Sequence, residues 1–267
     1  MGISLTTAFT IIGSFGAAST AQIVGHILTK KREEKKFKKE CLQNLYSPTL
    51  FKVLDYLHLE GGKHCPSPFY SKNIDTTPIF DKVMDNIGEN LKYAEVDLIN
   101  IYQELKYNYV TNTFTDNDDD YFTTERIRLC NILITQYLHI AKELKTESKL
   151  LSEKIAGPYF FSHFYLLVKD IVHLMDIPSK DILSLYDLVE TILLPQNNFI
   201  EGITEIRKRL FGLNYTSLSK FNNLSEVTHI EAYQFLYEMV DEFSIISESR
   251  AEEWKMSLDD NLVNIHN

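Results

Sequence analysis

Three clusters in this sequence carry the residue types that chemistry uses. The first is His58, Glu60, His64 and Cys65, metal-capable side chains around Gly61-Gly62. Zinc takes such ligands, but this spacing matches no standard zinc site, and a polar helix end running into a loop accounts for it as well. The second is Asp170-Ile171-Val172-His173 with His163 nearby. A carboxylate three residues before a histidine is half of a di-iron bundle motif. That chemistry needs two such motifs and two further glutamates, and no second motif is present. The third is Arg126, Arg128 and His139. Helical RNases of the HEPN type set an arginine and a histidine four to six residues apart to act on a phosphodiester; here ten residues separate Arg128 from His139.

Other patterns fail more plainly. Asp116-Asn117-Asp118-Asp119-Asp120 suggests calcium, yet an EF-hand starting at Asp116 needs Gly at its sixth position and Glu at its twelfth. Tyr121 and Ile127 stand there. An acidic, solvated turn before a helix N-terminus is the better reading. No Gly-rich phosphate loop, GxSxG or HExxH occurs. The sequence therefore assigns no catalytic, cofactor-binding or metal residue and implies no cofactor.

The elements around these clusters say more. Residues 1–29 carry no Asp, Glu, Lys or Arg. Lys30, Lys31, Arg32, Lys35, Lys36, Lys38 and Lys39 follow at once. An uncharged helix of this length exceeds the roughly 30 Å hydrocarbon core, so the segment reads as one transmembrane helix. The basic run on its C-terminal side puts that side in the cytoplasm and the N-terminus outside. A signal peptide would carry its positive charge before the apolar stretch. Gly13, Ala17, Ala21 and Gly25 recur every fourth residue on one face, a stripe that lets two membrane helices approach closely.

Three segments follow from this reading: a transmembrane helix at 1–29, a basic juxtamembrane helix at 30–47 and a cytoplasmic all-α domain at 48–267. Outside Lys30–Glu40 the chain holds 20 basic and 34 acidic residues, a net charge of −14. An acidic body argues against nucleic acid as a partner. The basic run instead points to anionic lipid headgroups of the bilayer. Three widely spaced cysteines, Cys41, Cys65 and Cys130, give no disulfide framework.

Apolar spacing in the body is helical throughout, with no alternating strand pattern. Ser47-Pro48 reads as a helix restart ended by Gly61-Gly62. Val83, Ile87, Leu91, Ala94, Leu98, Ile101 and Leu105 predict one long helix over 78–110. A second runs from Thr123 or Thr124 to about Ile155, broken by Gly157-Pro158. Tyr159 to Met175 is nearly all apolar and reads as a buried core helix. Shorter helices follow over 180–194 and 199–211, and a final long one over 226–257. The expected architecture is a bundle built on the three long helices.

The spanning helix, the charged run and Leu45-Tyr46-Ser47-Pro48 together resemble a loose group of bacterial and prophage single-pass membrane proteins, some described as phage abortive-infection-like. The resemblance covers the first 60 residues. It implies a helical sensor or interaction domain held at the inner membrane, in phage defence, exclusion or signalling, and it carries over no catalytic residue. The expected function is thus a membrane-anchored interaction or regulatory module. Its expected partners are the bilayer, an unidentified protein and, through the small-residue stripe, a second copy. Two alternatives stay open: an enzyme with an unrecognised site, either a helical nuclease or a metal-dependent bundle, and a membrane-permeabilising effector.

Overall fold

Helix α1 (28–41) runs without interruption through a π-turn, Leu42–Tyr46, into α2 (Ser47–Gly62). In a computed structural model that describes residues 26, 28–66, 68–70, 74–111, 119–171, 177–193, 197–211 and 226–263, every regular element is helical. After α2 come α3 (Thr77–Glu89), a 3-10 turn at Leu91–Tyr93, α4 (Val96–Thr111), α5 (Asp119–Leu144) and α6 (Lys149–Asp170). Then follow α7 (Ser179–Leu183), α8 (Tyr186–Leu193), α9 (Asn197–Phe211), α10 (Glu226–Ser244) and α11 (Glu248–Val263). The all-α expectation holds for the described residues. The expected transmembrane segment, 1–29, lies outside them but for residues 26, 28 and 29, as does its whole stripe, Gly13, Ala17, Ala21 and Gly25. Among the described residues no helix is long and apolar enough to cross a membrane.

Ser47-Pro48 is not a restart. Ser47 is already helical, at φ −65° and ψ −44°, and its N–H bonds the carbonyl of Leu42, five residues back. Proline cannot donate to the carbonyl four residues before it, and its ring crowds that group. The wider π register absorbs both defects while the helix continues. The turn also aims Tyr46 inward. Its hydroxyl donates to Gln136 Oε1 on α5 at 2.9 Å and accepts the Glu95 N–H at 3.3 Å. Cys41, Leu45, Tyr46, Leu50 and Val53 are all buried, so the arm is welded to the body from Cys41 onward.

Each of the three expected long helices is broken, and in each case packing explains why. The 78–110 helix turns at Asn90, and Ala94 is extended at ψ 144°. This lets Phe80, Val83 and Ile87 pack toward α2 while Leu98, Ile101 and Leu105 pack toward α5, two directions a straight helix cannot serve. The second long helix ends at Leu144 rather than at Gly157-Pro158. Lys145 is left-handed at φ 55°, and the Thr146 N–H bonds the Ala141 carbonyl, a Schellman closure without glycine. Gly157 and Pro158 instead lie inside α6. An interior proline costs about 3 kcal/mol, but burial of Phe160, Phe161 and Phe164 beside it, at roughly 2–3 kcal/mol each, outweighs that. A Cβ at Gly157 would meet the Glu190 Cγ at 3.2 Å, a tight contact that glycine avoids.

The final helix folds back at Ile245–Ser247, which brings Trp254 of α11 to 6.0 Å and Phe243 of α10 to 6.2 Å from the Phe164 ring. The 180–194 helix divides into α7 and α8 where Arg250 of α11 takes the Ser184 carbonyl and both Asp187 oxygens.

The core therefore centres on α6, which is buried almost continuously from Phe160 to Asp170 and packs against α2, α5, α8 and α9. The expected core helix over 159–175 is present as far as Asp170, and Ile171 is extended. Gly61-Gly62 does end α2, and packing is what requires glycine there: a Cβ on Gly61 would overlap the root of the Tyr186 side chain, a ring with no exposure. Because the contact involves Cβ and Cγ of Tyr186, rotation of the ring cannot relieve it. Gly61→Ala should lower stability by about 1–3 kcal/mol despite the better helix propensity of alanine, read as a reduced urea midpoint with an unchanged m-value.

Candidate functional site

Among the described residues the structure regroups the clusters read from the sequence, keeping at most part of each together. Of the first, Glu60 and His64 share a cleft, with His64 Nε2 4.0 Å from Glu60 Oε1. His58 lies apart, between Tyr70 and Tyr186, whose ring centroids are 5.5 and 5.7 Å away. Cys65 is buried and donates to the Gly61 carbonyl at 3.4 Å, and burial pushes its thiol up to about 12. Among the described residues no three His, Cys, Asp or Glu side chains are grouped to hold a metal ion.

The second and third clusters merge differently from either reading. His173 lies outside the described residues. Asp170, which a metal would need, instead bridges two arginines: Arg128 Nη2 on α5 at 3.1 Å and Arg207 Nη2 on α9 at 3.3 Å. Arg128 also reaches Glu125 Oε1 at 3.2 Å. Arg207 Nη1 donates to Asn131 Oδ1 at 3.3 Å and to His163 Nδ1 at 2.8 Å. Arginine only donates, so Nδ1 of His163 is the acceptor and the neutral ring carries its proton on Nε2. Asn131 Nδ2 continues to Ser162 Oγ at 2.9 Å. His139 lies roughly 16 Å along α5 from Arg128, exposed beside Glu143, so the nuclease pair does not form.

This network is an internal clasp. Arg207 and Asp170 are 1 % and 2 % exposed. Burial opposes the charge on Arg128, but Asp170 and Glu125 outweigh it and hold the guanidinium protonated. Burial raises the Glu125 carboxyl, and Arg128 counters only part of that. Two guanidinium and two carboxylate groups balance in charge, and the clasp ties α5, α6 and α9 together.

The sequence reading missed Arg207 and Lys169. A signal existed: Arg207 sits four residues after buried Ile203 and beside Ile206, on the apolar register of α9. A charge at such a register implies a buried partner.

The open site is a cleft of about 620 Å³ between the C-terminal end of α2 and the starts of α3, α5 and α7. Glu60, Lys63, His64, Asp75, Thr76, Thr77, Asp120, Thr123, Arg126, Ser179 and Lys180 supply its polar wall. Its carboxylates are already held. Glu60 pairs with Lys63 Nζ at 2.7 Å and accepts the Thr76 hydroxyl. Asp75 accepts the Thr77 N–H at 3.0 Å. Asp120 accepts Lys169 Nζ and the Ser179 N–H, each at 2.5 Å. Burial alone would raise the Asp120 pKa, but these bonds outweigh it and lower it. The Arg126 guanidinium stacks 5.1 Å over the Phe80 ring. Burial, with Lys63 close by, lowers the His64 pKa below its ordinary 6.5.

Asp170→Asn leaves two buried guanidinium groups facing one remaining carboxylate and should cost about 3–5 kcal/mol. Adding Arg207→Met, which removes one of those charges, should recover part of the loss in urea denaturation. Comparison with known proteins leaves these assignments to the geometry: no protein-family model matches the chain, and no curated protein or solved structure matches it.

Proposed function

We propose that the protein is a membrane-tethered helical interaction module. In this reading residues 1–29 span the bilayer with the N-terminus outside. The basic helix meets anionic headgroups on the cytoplasmic face, and the acidic body at 48–267 engages a protein partner. A second copy of the chain would pair through Gly13, Ala17, Ala21 and Gly25.

One observation carries most of the support. The basic helix is displayed, not folded back onto the acidic body. Lys30, Lys31, Arg32, Lys35, Lys36 and Lys39 are exposed, although the body offers abundant carboxylates. Lys38 alone of the seven turns inward, to Glu143 at the end of α5. The ion pairs at Lys30–Glu34 and Lys36–Glu40 stay within the helix, at 4.0 and 3.9 Å, and are worth only about 0.3–0.5 kcal/mol each. They stiffen the arm without neutralising it. The π-turn then joins the arm to the core through buried Leu45 and Tyr46, so whatever holds the basic face also orients the body.

Each lysine or arginine near an anionic surface contributes about 1 kcal/mol, and six together give strong, salt-sensitive attraction. Full-length protein expressed in cells should sediment with membranes and resist alkaline carbonate extraction. Protein lacking 1–27 should float with phosphatidylserine vesicles at low salt only. Reversing the six exposed charges to Glu should abolish that flotation. Carbonate-soluble full-length protein would overturn the reading.

A further inference from the structure

We propose that the cleft between α2, α3, α5 and α7 binds a phosphorylated small molecule, with Lys180 as its principal cation. This goes beyond the tether and is independent of it. Size is the first argument. About 620 Å³ falls in the range of small-molecule sites, roughly 300–1,000 Å³, and suits an anion as large as a mononucleotide.

Charge is the second argument. In an acidic protein, a cleft bordered by Glu60, Asp75 and Asp120 looks at first suited to a cation. The hydrogen bonds reverse that. Glu60 is bonded by Lys63 and the Thr76 hydroxyl, and Asp120 by Lys169 and the Ser179 N–H, while Asp75 is exposed at the rim and takes the Thr77 N–H. The charges of Glu60 and Asp120 are thus each balanced by a lysine of the protein itself. Asp181 is close enough to act on His64, but it does not line the cleft. Lys180 does line it, is exposed, and makes no ion pair among the described residues. Arg126 and His64 border the same space.

Donor geometry is the third. The Thr77, Thr123 and Lys180 side chains stand on different elements that converge on one volume. A phosphate group takes hydrogen bonds from several directions at once, and hydroxyls beside a lysine and a guanidinium satisfy it. A metal cation would find both oxygens of Glu60 and of Asp120 already bonded.

The test uses the full-length chain in detergent at fixed ionic strength, titrated calorimetrically with pyrophosphate and with AMP, sodium chloride serving as control. Saturable binding is expected for at least one probe. Lys180→Glu should weaken it about tenfold or more, since a charge-assisted bond is lost and a repulsion gained, while Lys180→Arg retains it. Lys180 is exposed, so neither variant threatens the fold. Neutralising Lys30, Lys31, Lys35 and Lys36 to Gln should leave the affinity unchanged. Absence of saturable binding by both probes would overturn the proposal. So would equal affinity in Lys180→Glu, or binding lost with the α1 lysines, which would put the anion on the basic helix.

Discussion

A carboxylate with two arginines on it, deep in an apolar helix, is the constraint that organises this molecule. Asp170 ends α6, the helix about which the core is built. An unpaired carboxylate there would cost several kcal/mol, so the burial of Asp170 depends on Arg128 from α5 and Arg207 from α9. Oil-like contacts alone tolerate many ways of packing helices; a three-way ionic clasp tolerates few. His163, Asn131 and Ser162 extend the same demand to neighbouring turns, because each bonds within the network. The residues that read as half of a metal site are thus the specification for assembling three helices.

What was legible in the sequence follows from what is local. Helical periodicity is local, and the all-α character, the burial of the 159–170 stretch and the end of α2 at Gly62 were all readable. The breaks were not, because each answers a distant group. Asn90–Ala94 turns so that two halves of one apolar stripe can meet different neighbours. Ser184 bends where Arg250, 66 residues later, takes its carbonyl. Lys145 adopts a left-handed conformation that glycine would ordinarily signal. Gly157-Pro158 and Ser47-Pro48, the strongest local punctuation in the body, are both overridden by burial on either side. The cleft was only half visible: Glu60 and His64 stood close in sequence, but Asp120, Arg126 and Lys180 come from helices far along the chain.

The π-turn gives the arm its meaning. An ordinary break at Pro48 would have made a hinge, and a hinged basic helix could lie anywhere. Continuous helix from 28 to 62 extends roughly 50 Å and buries one face of its second half. Tyr46, bonded to both Gln136 and Glu95, holds the junction at the place where proline would otherwise loosen it. Charge display and body orientation are then one mechanical unit, with the polar cleft carried on the same helix, at Glu60 and Lys63.

The central claim is this rigid union of arm and body, and a distance distribution tests it most directly. Spin labels on Lys36→Cys in the arm and Ser184→Cys in the body, with the buried native cysteines unmodified, can be measured by double electron–electron resonance in full-length protein reconstituted into bilayers. The account predicts one narrow distribution, broadened when Tyr46→Ala removes the junction bonds. A broad or two-peaked distribution in the unaltered junction would mean a hinge at the π-turn and would contradict it.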